Sequence, residues 1–286
     1  MRILVFGRTG QVATELCRQA DVTALGRAEA DLADPVACAA AIRARTPDAV
    51  INAAAYTAVD RAEEEEALAT TINGAAPAAM AQACAELGIP FVHVSTDYVF
   101  DGSGEAPRRP DGAMAPLGAY GRSKLEGELG VRAAGGTHVI LRTSWVVSAH
   151  GSNFVKTMLR VGPARGSLRV VDDQVGGPTP AADIAAACLR IAEQLAIDPG
   201  KSGTYHFAGA PDTSWAGFAR AIFDMAGLSV TVEDIPSSEY PTPARRPLNS
   251  RLDCSSTEAA FGLPRPDWRA GLADILSDLS IQEGAT

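Results

Sequence analysis

Four apolar residues, Ile3 to Phe6, run straight into Gly7-Arg-Thr-Gly10-Gln11-Val12-Ala13 and a helical pattern through Leu16. No other stretch restricts the fold as much. An all-apolar strand is buried on both faces, which places it in a parallel sheet, and each parallel pair needs a helix crossing between its strands. The same strand, glycine turn and helix set a dinucleotide's pyrophosphate on a helix N-terminus. The glycine spacing is G-x-x-G-x-x-A, without the G-x-G start of the fuller fingerprint, and Ala13 serves where helix and sheet pack closely.

The alternation continues down the chain. Val22 to Leu25 form a second strand that ends in Gly26-Arg27, where an acidic residue would hold a ribose 2′-hydroxyl and an arginine suits a 2′-phosphate. Arg27 therefore favours NADP over the bland reading, a solvated surface arginine. Asp34 caps a helix that starts at Pro35, and Asp31 is placed to lie over an adenine. Ala49 to Ile51 give the third strand. The small residues Asn52-Ala53-Ala54-Ala55 at its carboxyl end let a flat cofactor approach the backbone.

Tyr56 to Asp60 are expected to begin a helix whose run Glu63 to Glu66 is a solvated face, since adjacent carboxylates do not converge on a cation. A further helix runs from Ile72 to Leu87 and stops at Gly88. Pro90 to Val94 then lead to Ser95-Thr96-Asp97-Tyr98, which sets hydroxyls just past a strand's carboxyl end, where ligands of open α/β sheets bind.

Tyr120-Gly-Arg-Ser-Lys124 carries the chemistry. A tyrosine and a lysine four apart on a helix share one face. A free phenol ionises near ~10, and a fixed positive charge beside it lowers that value toward one useful for proton exchange. The pairing alone is weak evidence, because four-apart pairs also arise on solvated faces; the threonine-bearing strand end upstream strengthens it. His138 to Leu141 form the next strand, leading to Trp145, either a core residue or a surface on which a sugar or base stacks. Asp183 is expected to cap a helix to Leu195, and helices are also expected over Asn153 to Leu159, Trp215 to Ala226 and Trp268 to Leu279.

The expected class is α/β, a Rossmann-type doubly wound parallel sheet with a smaller, interleaved C-terminal substrate domain. Residues 1–147 make the NAD(P)-binding domain, segments near 173–200 return to it, and 148–286 are mainly substrate-binding. At 286 residues and 47% hydrophobic content the chain buries a large core. A net charge of −9 argues against a nucleic-acid surface. No apolar run reaches the ~20 residues of a membrane span. The five scattered cysteines form no Cys-x-x-Cys, which disfavours zinc and disulfides alike, and without a signal segment the expectation is a cytoplasmic protein.

Read together, Gly7-Arg-Thr-Gly-Gln-Val12, Asn52-Ala-Ala-Ala-Tyr-Thr-Ala-Val-Asp60, Ser95-Thr-Asp-Tyr-Val-Phe-Asp-Gly102, Tyr120-Gly-Arg-Ser-Lys124, Leu141-Arg-Thr-Ser-Trp145, Asp173-Gln-Val-Gly-Gly-Pro-Thr179 and Arg246-Pro-Leu-Asn-Ser250 resemble the dTDP-4-dehydrorhamnose reductase family of extended short-chain dehydrogenases/reductases. The resemblance spans essentially the whole chain. It implies NADPH- or NADH-dependent reduction of the 4-keto group of dTDP-4-dehydro-6-deoxy-L-mannose to dTDP-L-rhamnose. By that likeness Tyr120 protonates the developing alkoxide, Lys124 lowers its proton affinity and holds the nicotinamide ribose, and Thr96 polarises the carbonyl. Thr96, Asp97 and Trp145 contact the sugar nucleotide. Gly7, Gly10, Gln11, Val12, Arg27, Asp31, Leu32, Ala53, Ala54 and Ala55 line the cofactor together with Tyr120 and Lys124.

Some relatives hold Mg2+ and dimer contacts through acidic residues. Glu15 matches one such position, which leaves metal and homodimer open. Two rivals stand beside this reading. A dehydratase or epimerase on the same sheet is disfavoured because Thr96 is followed by Asp97-Tyr98 and not by an Asp-Glu pair. A non-catalytic NADP-binding regulatory subunit is disfavoured by the joint presence of Thr96, Tyr120 and Lys124.

Overall fold

The computed structural model describes residues 1–284. The first half runs β1 (Ile3–Phe6), α1 (Gln11–Gln19), β2 (Val22–Leu25), α2 (Pro35–Arg45) and β3 (Ala49–Asn52). Then α3 (Glu66–Thr70) passes through one wider, π-type turn into α4 (Ala76–Leu87), followed by β4 (Phe91–Thr96), α5 (Ala119–Ala133) and β5 (His138–Thr143). The main sheet is parallel throughout, in the order Gly203–His206, β5, β4, β3, β1, β2.

Its strands are apolar on both sides, as a doubly covered sheet requires. Ile3, Val5, Ile51, Val92 and Val139 face α1, while Leu4, Phe6, Val50, Phe91 and Ile140 face α2 and α4. Each such side chain contributes about 1.5–3 kcal/mol by leaving water.

The later helices are α6 (Phe154–Arg165), α7 (Ala181–Ile197), α8 (Trp215–Met225), α9 (Ser255–Phe261) and α10 (Trp268–Gly284). α7 returns to the first lobe and lays Ile184, Cys188 and Ile191 on the α1 side of the sheet; the strand Gly203–His206 then pairs with β5 from Val139 to Arg142. A separate core forms where α6, α8 and α10 bring Phe218, Phe223, Trp268 and Leu272 together beside the parallel pair Ser167–Val171 and Thr231–Ile235. Among the described residues no helix is long and apolar enough to cross a membrane. All five cysteines are free thiols.

Three local expectations need correction. Tyr56 to Asp60 start no α-helix, because the Asn73 amide takes both the Tyr56 N–H (2.8 Å) and its carbonyl (3.0 Å) and removes both from helical bonding. The acidic run is more than a solvated face. Glu63 accepts the Ala119 N–H at the start of α5 (2.9 Å), Glu65 accepts the Tyr56 hydroxyl (2.7 Å), and Glu66 pairs with Arg122 (2.7 Å). Asp183 caps nothing: α7 begins two residues earlier at Ala181, with Pro180 at the cap position.

Candidate active site

The site lies along the carboxyl ends of β1, β2, β3, β4 and β5, around one cavity of about 910 Å³. At its floor Gly7 has φ +110°, and a Cβ there would stand 3.2 Å from that of Ala13 and 3.5 Å from the Ala53 carbonyl. Only glycine serves at this turn. Gly10 occupies the α1 cap position with no side-chain acceptor of its own, so the first amides of α1, with Gln11 and Val12, border the cavity unmasked. Gln11 is anchored from the second lobe by Asn153 (2.9 Å) and Ser148 (3.2 Å).

The other expected cofactor residues line the same space: Arg27, Asp31 and Leu32 after β2, and Ala53, Ala54 and Ala55 after β3. Arg27 is largely exposed, 3.9 Å from Asp31. Arg8, which the sequence reading passed over, also reaches this rim, bonded to the Ala24 carbonyl (2.7 Å) and paired with Glu29 (2.7 Å). Its signal was its place inside the glycine turn.

Thr96 ends β4, and Tyr120 and Lys124 lie one turn apart at the start of α5, all bordering the cavity. Gly121 lets α5 come this close, since a Cβ would stand 2.3 Å from the Tyr98 carbonyl oxygen. Burial pushes the Tyr120 phenol up, and a hydrogen bond with Thr96 works against that. The Tyr98 ring meets Tyr120 edge-on at 5.4 Å. Lys124 donates to the Val94 carbonyl (2.8 Å), and burial lowers its pKa to about 8 against the opposing pull of Glu128. The charged partner expected to tune Tyr120 is thus committed to Val94, and the forces acting on the phenol here are burial, Thr96, Asp97 and Tyr98.

Asp97 is buried, and burial raises its pKa to about 6 although Ser250 and Thr96 favour the carboxylate. Its Oδ2 and the Thr143 hydroxyl are buried and find no hydrogen-bond partner among the described residues, and both residues border the cavity. Such orphaned groups fit a polar ligand.

Trp145 stands opposite. Its backbone sits at φ +49°, a conformation uncommon for a bulky residue, and its indole stacks on Trp215 at 3.6 Å. Gly176 makes room, since a Cβ there would lie 3.1 Å from the Trp145 ring. The Arg246 motif closes the same side: Arg246 pairs with Asp60 (2.7 Å), and Asn249 donates to the Ala106 carbonyl (2.9 Å). Tyr98, expected among the hydroxyls that follow β4, borders the cavity; Thr143, which carried no expected role of its own, does so from the end of β5.

Glu15 lies elsewhere, beyond the far end of α1's first turn, with its carboxylate 3.2 Å from Arg18 and 3.1 Å from His150. Among the described residues no three metal-ligating side chains converge.

Comparison with known proteins places the chain in a family and shows the same fold in solved structures. The family model described as RmlD substrate binding domain matches residues 1–281. A dTDP-4-dehydrorhamnose reductase of Sinorhizobium fredii is 45% identical over 292 residues, covering 99% of each chain. A crystal structure of a dTDP-4-dehydrorhamnose reductase from Clostridium acetobutylicum superposes with a TM-score of 0.90 at 36% identity, over 98% of this chain and 100% of that one. One from Bacillus anthracis, in complex with NADP, gives 0.89 at 32% identity, over 97% of this chain and 99% of that one.

Proposed function

Since the chain belongs to the family described by the RmlD substrate binding domain, we propose that it reduces the C4 ketone of dTDP-4-dehydro-6-deoxy-L-mannose with NADPH or NADH to give dTDP-L-rhamnose. One observation carries this reading. A glycine turn fit for a pyrophosphate, the Thr96–Tyr120–Lys124 group and two orphaned polar groups border a single cavity.

The nicotinamide cofactor supplies the hydride that C4 receives. The residues do the rest. Tyr120 gives its phenolic proton to the C4 oxygen as negative charge develops there, and Thr96 donates to that oxygen. The raised proton affinity of the phenol keeps Tyr120 in the acid form that a reduction needs. Lys124, one helical turn beyond the phenol, holds the nicotinamide ribose. The unmasked amides from Gly10 to Val12 receive the pyrophosphate, Arg27 the 2′-phosphate, Asp31 and Leu32 the adenosine, and Ala53 to Ala55 the flat face beside it. Asp97 and Trp145 hold the sugar.

In this assignment residues 1–147 with α7 and the strand Gly203–His206 form the dinucleotide lobe, and most of the remainder of 148–286 covers the sugar nucleotide. The test is NADPH oxidation with the L-manno ketosugar against its D-gluco C5/C3 counterpart, with the product identified. The L-manno compound should turn over, and Tyr120→Phe should retain NADPH affinity while losing ~100-fold or more in rate. Equal turnover of both sugars, or a fully active Tyr120→Phe, would overturn the assignment.

A further inference from the structure

Behind Lys124 runs a chain of buried groups that the reaction above does not use. Asn52 on β3 stands opposite His93 on β4, and neither is exposed. Asn52 Nδ2 lies 3.1 Å from His93 Nδ1, and His93 Nε2 lies 3.4 Å from Lys124 Nζ. At the far end Asn52 Oδ1 accepts the Ala54 N–H at 3.2 Å, in the wall of the cavity.

The hydrogen bonds of this chain conflict. Burial, then the charge of Lys124, holds the His93 pKa well below its ordinary value, so the ring is neutral and offers one N–H and one lone pair. An Asn52 that accepts from Ala54 presents its NH2 to Nδ1. Nδ1 must then accept, and the ring proton sits on Nε2. That N–H points at Lys124, which receives it only as an uncharged amine. An ammonium at Lys124 needs the other tautomer, with the proton on Nδ1; Asn52 must then turn its carbonyl to Nδ1 and release the Ala54 N–H.

We propose that His93 is a positioning residue that couples the charge of Lys124 to the Ala54 amide, so that a ligand acceptor taking the Ala54 N–H turns Asn52 and converts Lys124 from amine to ammonium. The protons balance: the one on Nε2 passes to Lys124 Nζ, Nδ1 takes one from solvent, and the chain gains one proton. The proposal rests on the dinucleotide reading of the cavity and adds that occupancy itself charges Lys124. The lysine's lowered pKa of about 8 keeps both of its states accessible in mildly alkaline solution. Of the other ionisable groups, Glu128 on its own helix acts on it and is paired with Arg132 and Arg142, while Tyr120, one turn before it, faces Asp97 and Tyr98 past the end of β4. From β3 it meets only the neutral Asn52, through His93.

Nitrogen-15 shifts of histidine-labelled protein at about pH 9 read the tautomer directly, with the His93 signals picked out by their loss in His93→Gln and His93→Asn. The free chain should show the proton on Nε2, and NADPH should move it to Nδ1. Calorimetry of NADPH binding in two buffers of different ionisation enthalpy should report uptake of about one proton. In His93→Gln, whose amide falls near the position of Nε2, NADPH should still bind while the uptake falls toward zero.

An unchanged tautomer on binding, or an uptake that His93→Gln leaves intact, would overturn the coupling. The tautomer result on the unsubstituted chain stands whatever the variants do to folding. NADPH that fails to bind the unsubstituted chain would overturn the reading of the cavity itself, whereas NADPH that binds without moving the tautomer would overturn the switch alone.

Discussion

Replacing Arg142 by methionine should show how much of the site's rigidity depends on one buried ion pair. Arg142 and Glu128 have no exposed side-chain surface and bond twice, at 2.8 and 2.7 Å. Ser95 and Arg132 complete the carboxylate, each at 2.7 Å, so β4, β5 and α5 meet at this point one helical turn beyond Lys124. Removing the buried partner leaves Glu128 with only the partly exposed Arg132 as a cation and costs roughly 3–5 kcal/mol. For 286 residues an unfolding entropy of ~2.1 cal/mol/K per residue sums to roughly 0.6 kcal/mol/K, so Arg142→Met should lower Tm by ~5–8 °C.

Differential scanning calorimetry checks this, and the double variant Glu128→Met/Arg142→Met provides the control. With no buried charge left unpaired, it should recover most of the loss. The pH dependence follows from Glu128. Burial pushes its carboxyl up, but the bonds and charges of Arg142, Ser95 and Arg132 win and hold its pKa below the ordinary value. Its stabilisation is therefore present above the ordinary carboxylate range and is lost as pH falls through the folded pKa, so the deficit of Arg142→Met should shrink in acid. A double variant that melts as low as Arg142→Met, or a deficit independent of pH, would refute the reasoning.

Three further outcomes follow. Lys124→Met should abolish turnover yet raise Tm near neutral pH; because the folded pKa is lowered to about 8 from 10.5, the unfolded chain binds more protons between those values. The unsubstituted protein should therefore gain stability as pH rises through that window, and calorimetry of the variant should show no such rise. Arg27→Ala should weaken NADPH about tenfold and leave NADH unchanged, the lower end for a charge-assisted contact because Arg27 is largely exposed and near Asp31; titration with both cofactors decides it. Trp215→Ala should free the Trp145 indole, raise KM for the sugar nucleotide about 2–10-fold for a stack of ~0.5–1.5 kcal/mol, and abolish the near-ultraviolet dichroism of the coupled pair, with kcat little changed.

The alternation of strand and helix through residue 143 was legible because each element carries its own signal: four-residue apolar runs for β1 and β3, the Asp34-Pro35 start of α2, Gly88 at the end of α4. The candidate site residues were legible for a related reason. Parallel strands deliver their carboxyl ends to one edge, so residues just past several strands share a cavity whatever the strand order. What stayed hidden depends on partners far away in the chain. Tyr56 to Asp60 read as a helix start because their propensities are local, while the Asn73 amide that overrides them is 17 residues on. The acidic run read as solvated because its partners Ala119 and Arg122 lie 56 residues away.

The placement of buried charge shows why this site cannot be reduced to its three reactive groups. Lys124, Glu128 and Arg142 are each at most 2% exposed, although burying charge usually destabilises a fold relative to apolar packing. Lys124 borders the cavity, while Glu128 one turn further along α5 and Arg142 near the end of β5 do not line it. An apolar replacement would hold α5 against the sheet as firmly. It would remove Lys124, the basic group that borders the cavity one helical turn from Tyr120. A cost accepted in the folded chain in this way is what an electrostatically preorganised site requires: the dipoles and charges are placed before the ketone oxygen becomes negative, and no reorganisation is left for the reacting state.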